Sequence, residues 1–308
     1  MITLFQPPEV IRTEVFFRLP DELRRSGRPS VWASVNRVGA SVDCFLEGPS
    51  FDREGNLYVV DIPWGRIFRI TPSGDVSLIA EYDGEPNGLR VHKEGTIYIA
   101  DYKNGIMHLD PATGRVEPHC ERFRLERFKG CNDLIFASNG DLFFTDQGQT
   151  GHQDATGRVF RLSADGRLDC LIDTIPSPNG IVLDRNERII YVGVTRANAV
   201  WRLPIMGDGQ VSKVGTFIQL SGGMGPDGIA MTADNGLVVA HTGLGCIWIF
   251  DSFGQPLYRV NSCAGHSTTN IAFGGPGNRT LYITESDTGT ILRAELPVAG
   301  AMLYSHMS

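Results

Sequence analysis

Several hallmarks of membrane, nucleic-acid-binding and exported proteins are missing from this sequence of 308 residues. No segment approaches the roughly 20 consecutive apolar residues that a membrane-spanning helix needs. No long basic run occurs, and the net charge of -7 argues against nucleic acid or an anionic membrane as a partner. Residues 1–8 lack a basic stretch followed by an apolar core, so we expect no signal peptide and, by default, a cytoplasmic location.

Paired cysteines are missing as well. The six cysteines stand singly, without the CxxC spacing of a redox or metal motif. They are Cys44, Cys120, Cys131, Cys170, Cys246 and Cys263. Because a chain of this length buries a core without disulfides, we expect mostly buried, reduced thiols in a reducing compartment.

Helical periodicity is absent, whereas turn formers are abundant and a repeat is present. The 36 glycines and 17 prolines imply many turns and favour an all-β chain. Six short oxygen-bearing side chains, which we call the marker residues, each precede a run rich in apolar residues and recur every 40 to 48 residues. The marker residues are Glu47, Asn87, Asn132, Asn179, Asp227 and Asn270. This period is typical of four-stranded propeller blades.

The same succession of elements follows each marker residue. A second strand opens about ten residues later, after turn residues such as Asn139-Gly140 that favour a hairpin. A third strand follows, and most copies continue with a glycine turn and a fourth strand. Six such units predict an all-β, six-bladed β-propeller. The sixth unit lacks a fourth strand, and residues 13–19 can supply it and close the ring.

The predicted domain organisation is one propeller domain over residues 1–308. An N-terminal strand and linker occupy residues 1–43, within which residues 20–41 form a loop or short helix. The blades span about residues 44–298. The tail, residues 299–308, is expected to be frayed, because chain ends are seldom tied down.

The first strand of each propeller blade lines the central channel, so the marker residues should ring one of its mouths. Their carboxylate and amide oxygens suit a hard cation, since calcium takes six to eight oxygen ligands. Glu47 and Asp227 would balance its charge, while Asn132 and Asn179 would add neutral carbonyl oxygens. No cluster of Cys and His in the sequence favours a zinc site of the usual kind.

The second strand of each blade runs back to the same mouth. Asp61, Asp101 and Asp146 end three of these strands, and we expect them to hydrogen-bond loop backbone rather than substrate. His241 ends another, and it is either a proton carrier with a pKa near neutrality or a structural residue. Gln147 begins a polar loop, residues 147–154, that can overhang the site and set specificity.

Four groups of short motifs are the most specific parts of the chain. They are CNDL at residues 131–134 with NGDLFFTD at 139–146, SPNGI at 177–181, GPDG at 225–228, and AFGG at 272–275 with TLYIT at 280–284. Through them, and from about Cys44 to Leu296, the sequence resembles the SMP-30/gluconolactonase/regucalcin-like family. Proteins of that family are six-bladed propellers that hydrolyse sugar lactones with a divalent metal.

The resemblance implies a metal-dependent lactonase acting on a small, sugar-type lactone. Glu47, Asn179 and Asp227 would bind the metal, and Asn132 would complete its shell or hold substrate. Asp227 would be the catalytic residue, either activating water or attacking the lactone itself. One divalent ion is implied, with Ca²⁺ first and Mn²⁺, Mg²⁺, Fe²⁺ or Zn²⁺ as alternatives. The candidate substrate-binding residues are Asn87, Asn132, Gln147, His241 and Asn270.

Two positions depart from the family pattern. Gly130 stands where an arginine that contacts the sugar is common, and Asn270 stands where a smaller residue is usual. Three alternatives stay open: a phosphotriesterase with the same metal and carboxylates, a non-catalytic calcium-binding propeller, and a non-catalytic binding platform. A strictosidine-synthase-like propeller is more remote, because the sequence offers no equivalent constellation around a catalytic glutamate. The oligomeric state is left open.

Overall fold

The computed structural model describes residues 7–307, and β-strands account for most of them. Six sheets, one for each marker residue, surround a central channel, and the consecutive strands of each sheet are neighbours. The all-β, six-bladed propeller expected from the repeat is confirmed. Residues 1–6 and Ser308 lie outside the described residues. Most of the N-terminal stretch that we examined for a signal peptide is therefore not described.

Each blade is a sheet whose strands follow one another from the channel outward. Blade 1 comprises Leu46–Phe51, Leu57–Asp61, Arg66–Ile70 and Val76–Glu81; blade 2 comprises Pro86–Val91, Ile97–Asp101, Gly105–Asp110 and Arg115–Cys120; blade 3 comprises Cys131–Phe136, Leu142–Asp146, Gly157–Leu162 and Leu168–Ile175. Blade 4 comprises Pro178–Leu183, Ile189–Val194, Ala199–Pro204 and Gly215–Gln219; blade 5 comprises Gly225–Met231, Leu237–Thr242, Cys246–Phe250 and Pro256–Asn261; blade 6 comprises Thr268–Gly274, Thr280–Glu285, Thr290–Glu295 and Glu14–Arg18.

The ring is closed by the N-terminal segment, as predicted. Glu14–Arg18 pairs antiparallel with Thr290–Glu295 and becomes the outer strand of blade 6. A further strand, Glu9–Arg12, runs parallel to Pro256–Asn261 at the edge of blade 5. The sequence did not predict this parallel pairing, which ties the last two blades together.

The segment between the closing strand and blade 1 holds a short helix, as expected. This helix, α1, spans Val31–Asn36, and the Ser30 hydroxyl caps it by accepting a hydrogen bond of 3.3 Å from the Ala33 N–H. The other short elements are the strands Arg122–Phe123 and Glu126–Arg127 and the 3₁₀ turns Asp21–Leu23, Ile62–Trp64, Thr195–Ala197, Pro276–Asn278 and Tyr304–His306. Within residues 7–307, no helix combines the length and apolar character that crossing a membrane requires.

The core lies between the blades, where apolar side chains of adjacent sheets pack together. Val60 and Ile67 of blade 1 meet Leu89 and Ile99 of blade 2, and all four are fully buried. Burial of each such side chain stabilises the fold by about 1.5–3 kcal/mol. Repetition of this packing around the ring holds the blades at fixed positions about the channel.

The cysteines form no disulfide, and all six lie within the described residues. Cys44, Cys131 and Cys246 are buried and Cys263 is exposed. Burial raises the pKa of the Cys131 thiol well above its usual value, so this side chain is an unreactive core residue.

A β-bulge accompanies the marker residue in every blade. The pairing of the first two strands shifts between Glu47 and Ser50 in blade 1 and between Pro178 and Ile181 in blade 4, and the other blades match. Neighbouring first strands also approach closely at this level, since a Cβ on Gly48 would lie 2.6 Å from the Asn87 carbonyl oxygen. Because a bulge re-aims the side chains beside it, six bulges at one level turn the marker residues towards one mouth.

The tail beyond blade 6 is not frayed, so that expectation was wrong for residues 299–307. Tyr304 is buried and stacks on Phe136 at a centroid distance of 4.8 Å. The Arg53 guanidinium donates a hydrogen bond of 2.7 Å to the Ser305 carbonyl. The tail is ordered because it packs across the apolar end of the channel, opposite the marker residues. There it encloses a cavity of about 360 Å³.

Candidate functional site

The marker residues converge as the spacing predicted, and five of the six line one cavity. This cavity, of about 470 Å³, opens at one mouth of the channel. The five residues are Glu47, Asn87, Asn132, Asn179 and Asp227. They come from blades 1 to 5, so side chains up to 180 residues apart in sequence meet at one place. We call this group the floor of the cavity.

Glu47 is a buried carboxylate without a cationic partner. Its Oε2 accepts hydrogen bonds from the Gly48 N–H at 2.5 Å and from Asn270 Nδ2 at 2.9 Å. Among the described residues, no Lys, Arg or His forms an ion pair with it. Burial raises the Glu47 pKa to about 7, although the two hydrogen bonds oppose the shift.

Asp227 is a second carboxylate without a cationic partner among the described residues. Protein encloses it except towards the cavity, through which it stays partly exposed. Burial, and next the negative charge of Glu47, raise the Asp227 pKa well above its usual value, and the neighbouring Asn179 amide partly opposes the shift. Two enclosed carboxylates whose pKa values are both raised form a strong site for a cation, because one bound ion offsets the cost of both charges.

The two asparagines at the floor present oxygens that suit such a cation. Asn179 Oδ1 is buried and has no hydrogen-bond partner among residues 7–307. Asn132 Nδ2 donates to Gln147 Oε1 at 2.8 Å, and Gln147 Nε2 donates in turn to Ser177 Oγ at 2.9 Å. This relay holds the Asn132 amide nitrogen away, which leaves its Oδ1 for a ligand. An orphaned amide oxygen beside two uncompensated carboxylates fits a divalent, oxygen-preferring ion.

Carboxylates alone do not make up this site. In the part of the chain that the structure describes, no three Asp, Glu, His or Cys side chains cluster as metal ligands. The amide oxygens of Asn132 and Asn179 would therefore complete any ligand set that Glu47 and Asp227 begin.

The remaining candidate substrate residues lie at different depths. Asn87 lines the cavity, and Gln147 lines it while orienting Asn132. Asn270 is buried beside Glu47, where its amide nitrogen bonds Glu47 and its Oδ1 accepts from the Ile271 N–H at 2.8 Å. Asn270 thus supports a floor carboxylate and does not line the cavity.

His241 does not reach the cavity, contrary to its candidacy as a substrate ligand. Its Nδ1 accepts a hydrogen bond from Trp248 Nε1 at 3.2 Å, and its Nε2 lies 3.0 Å from the Gly222 carbonyl as donor. The ring is 1% exposed, and burial lowers its pKa. With both ring nitrogens engaged, His241 is structural, which was the alternative left open from the sequence.

The carboxylates at the ends of the second strands hold loops, as expected. Asp61 accepts from the Phe45 N–H at 2.7 Å and from Arg66 Nε at 2.9 Å. Asp146 accepts from the Gly130 N–H at 2.8 Å and from Arg158 Nε at 2.7 Å. These residues stiffen the loops around the mouth without lining the cavity.

The sequence reasoning missed Asp133, a fully buried carboxylate beside the floor. Its Oδ1 lies 3.6 Å from Arg90 Nη2, while its Oδ2 has no hydrogen-bond partner in the described residues. Its charge also contributes to the raised pKa of Asp227. A signal was available, because Gly follows the marker residue in four blades and Asp133 takes that position in blade 3.

The fold and site together define a class: six-bladed propellers with a carboxylate and amide site at one mouth of the channel. Residues 45–287 match the family described as SMP-30/Gluconolactonase/LRE-like region, and this chain belongs to that family.

Relatives and solved structures extend this match. The lactonase drp35 of Staphylococcus aureus strain USA300 is 29% identical over 273 residues, covering 83% of this chain and 82% of the relative. The structure described as regucalcin, a calcium-binding protein of Agrobacterium tumefaciens, shares 21% identity with a TM-score of 0.77, covering 98% of this chain and 100% of that one. A gluconolactonase structure from Xanthomonas campestris shares 22% identity with a TM-score of 0.74, covering 94% and 98%. At these identities the two structures support the fold.

Proposed function

We propose that this protein hydrolyses lactones with the help of one divalent metal ion. The observation that carries the proposal is the floor itself, where buried Glu47 and half-buried Asp227 have no cationic partner, and Asn179 Oδ1 no partner of any kind, among residues 7–307. Membership of the family and the similarity to the drp35 lactonases support the reaction class. A buried charge without a use is costly, so a purely structural role for this floor is disfavoured.

Glu47, Asn132, Asn179 and Asp227 would hold the metal. Their oxygens match calcium first, and the similarity to a regucalcin described as calcium-binding agrees with that choice. When bound, such an ion polarises the lactone carbonyl and neutralises charge that develops on its oxygen. Glu47 and Asp227 carry two negative charges when ionised, which balances one divalent cation.

Asp227 is the residue that we assign to the chemistry. As general base, its carboxylate accepts a proton from water while the water oxygen bonds to the lactone carbonyl carbon. The ester bond to the ring oxygen then breaks, and that oxygen takes a proton to give the hydroxy acid. The place of Asp227 at the floor sets its carboxylate beside the position where the lactone carbonyl would lie. Direct attack by Asp227 on the carbonyl carbon is the second route.

The other floor residues position the reactants. Gln147 holds Asn132, and Asn270 holds Glu47, so both floor ligands keep one orientation. Asn87 stands beside them and can hydrogen-bond a substrate. Pre-organised groups of this kind act without rearranging during the reaction.

A lactone panel tests the proposal. The panel holds D-glucono-1,5-lactone, as the sugar-type substrate expected from the sequence, several simple lactones and one phosphotriester. Acid release is followed after EDTA treatment and after adding back Ca²⁺, Mg²⁺, Mn²⁺, Fe²⁺ or Zn²⁺ singly. We expect metal-restored hydrolysis of at least one lactone. Turnover of the phosphotriester alone, or of nothing with any ion, would overturn the proposal.

A further inference from the structure

The cavity above the floor has two unlike walls. One, the apolar wall, is formed by Trp32 of α1, by Phe45 and Ile62 next to the first two strands of blade 1, and by Tyr102 just after the second strand of blade 2. The other, the polar wall, consists of Gln147, Gln149, His152, Gln153, Ser177 and Arg196 from the loops of blades 3 and 4. A molecule seated on the floor therefore meets apolar side chains on one side and hydrogen-bonding groups on the other.

Tyr102 is held rigidly in the apolar wall. Its N–H donates to the Glu85 carbonyl at 2.8 Å, and its hydroxyl accepts a hydrogen bond of 2.9 Å from Gln149 Nε2. The ring lies directly over Gly130, where a Cβ would come within 2.5 Å of a ring carbon. One face of the ring covers Gly130 and the other offers apolar surface to a ligand, while the hydroxyl that accepts from Gln149 keeps its own O–H to donate at the ring edge.

The rest of the apolar wall is equally well supported. The Trp32 and Phe45 rings pack at a centroid distance of 4.8 Å, and Ile62 joins the same buried cluster. The Arg37 guanidinium lies 4.8 Å from the Phe45 ring centre, and it pairs with Asp287 at 2.5 Å. Arg37 also lines the cavity, so the apolar surface on this side is that of Trp32, Phe45, Ile62 and Tyr102.

We propose that the preferred substrate is a lactone with an apolar alkyl or aryl substituent, and that Tyr102 determines this preference. The inference rests on the proposed lactone hydrolysis. The lactone carbonyl lies at the floor, and the substituent packs on Tyr102 and Trp32. The many hydroxyls of an aldonolactone facing this wall would lose their water partners without replacement, which disfavours that substrate. An added apolar group on the lactone would pack on the same wall and raise kcat/KM by roughly 10- to 200-fold per well-packed methylene.

The test compares three substrates in four enzymes under metal-restored conditions. The substrates are γ-butyrolactone, γ-phenyl-γ-butyrolactone and D-glucono-1,5-lactone, and the enzymes are wild type, Tyr102→Ala, Tyr102→Phe and the control Phe253→Ala. Phe253 is 84% exposed on a turn of blade 5, remote in sequence from both walls. Thermal melting confirms that each variant is folded, and Tyr102→Phe keeps the ring if Tyr102→Ala unfolds.

We expect wild type to favour the phenyl lactone over both others by about tenfold or more in kcat/KM. Tyr102→Ala should raise KM for the phenyl lactone by about tenfold while changing γ-butyrolactone little, because only the substituent reaches the ring. Tyr102→Phe and Phe253→Ala should resemble wild type. A preference for D-glucono-1,5-lactone, or an equal loss on both butyrolactones, would overturn this inference and leave lactone hydrolysis standing. Hydrolysis of none of the three would overturn both.

Discussion

Two sets of buried carboxylates near the same mouth differ in one respect. Asp61 is bonded to Arg66, and both side chains are almost completely buried. Glu47 and Asp227 at the floor are also enclosed, yet no cation of the described residues pairs with either of them. The Arg66 partner lets Asp61 hold a loop in place, whereas the floor carboxylates keep uncompensated negative charge beside an open cavity, which supports the proposed cation site.

The difference also separates stability from function. Asp61 and Arg66 satisfy each other within one blade, so loss of either partner would leave a buried charge unpaired there. The floor carboxylates come from blades 1 and 5. Burial raises the pKa of both, and the charge of Glu47 raises that of Asp227 further, so without a ligand they oppose folding. Functional sites commonly keep such locally unfavourable groups because the surrounding fold compensates for them. The comparison therefore predicts opposite results for matched substitutions in the two sets.

The largest effect is expected for Asp227→Asn. Loss of the carboxylate should lower kcat of metal-restored enzyme by about 10²- to 10⁴-fold, the range that a general base contributes. Stability of the metal-free protein should stay the same or rise, because a buried charge is removed. Steady-state kinetics and urea unfolding measure the two. A variant with near-normal kcat would show that Asp227 is not the catalytic residue.

Asp61→Asn is the matched substitution in the paired set. It leaves Arg66 buried and unpaired, so the free energy of unfolding should fall by about 3–5 kcal/mol. Turnover per folded molecule should change far less than in Asp227→Asn. Urea unfolding with kinetics on the folded fraction tests this. If Asp61→Asn kept full stability but lost turnover, Asp61 would behave like a floor carboxylate, and the proposed difference between the two sets would be wrong.

The pH dependence of stability should report the cost of the Glu47 charge at the floor. The pKa of Glu47 in the folded protein is raised from 4.5 to about 7, so the folded state binds more protons than the unfolded chain between these values. The free energy of unfolding of metal-stripped protein should therefore fall as pH rises from 4.5 to 7, by up to about 3 kcal/mol from this group. Asp227 acts in the same direction.

Glu47→Gln is the control for this pH effect, because it removes the titrating group at nearly constant shape. Urea unfolding of wild type and variant should give a difference in stability that changes across about pH 4.5 to 7 and is flat outside it. A constant difference across this window would mean that Glu47 keeps an ordinary pKa and that the floor is not an unfavourable environment for its charge.

The sequence revealed most of the fold and the floor of the site for one physical reason. Each blade needs the same turn, bulge and strand, so the marker residues recur in register and their convergence follows from the ring. Contacts that occur once cannot be read this way. Trp248 donates a hydrogen bond to His241, and the tail covers the far end of the channel. Neither contact can be predicted from the spacing of the repeat.

Asp133 stands between these two cases. Its position is part of the repeat, but its pairing with Arg90 joins blades 2 and 3 and has no counterpart in the periodic pattern. The parallel strand Glu9–Arg12 is similar, since its partner lies about 250 residues away at the edge of blade 5. Sequence periodicity thus predicts where side chains point, whereas the partners that determine their roles come from the folded ring.

The smallest predicted effect concerns Gln147 and asks whether the floor depends on neighbours as the paired carboxylates do. Gln147→Leu removes the group that turns Asn132 towards the cavity, so metal affinity should weaken by about 10-fold or somewhat more, as for other residues that orient metal ligands. Gln149→Leu is the matched control, because Gln149 in the same loop bonds Tyr102 instead. Calorimetric titration of metal-stripped protein with Ca²⁺ compares them. Equal affinities in both variants would mean that Asn132 binds no metal, and the cation would then depend on Glu47, Asn179 and Asp227 alone.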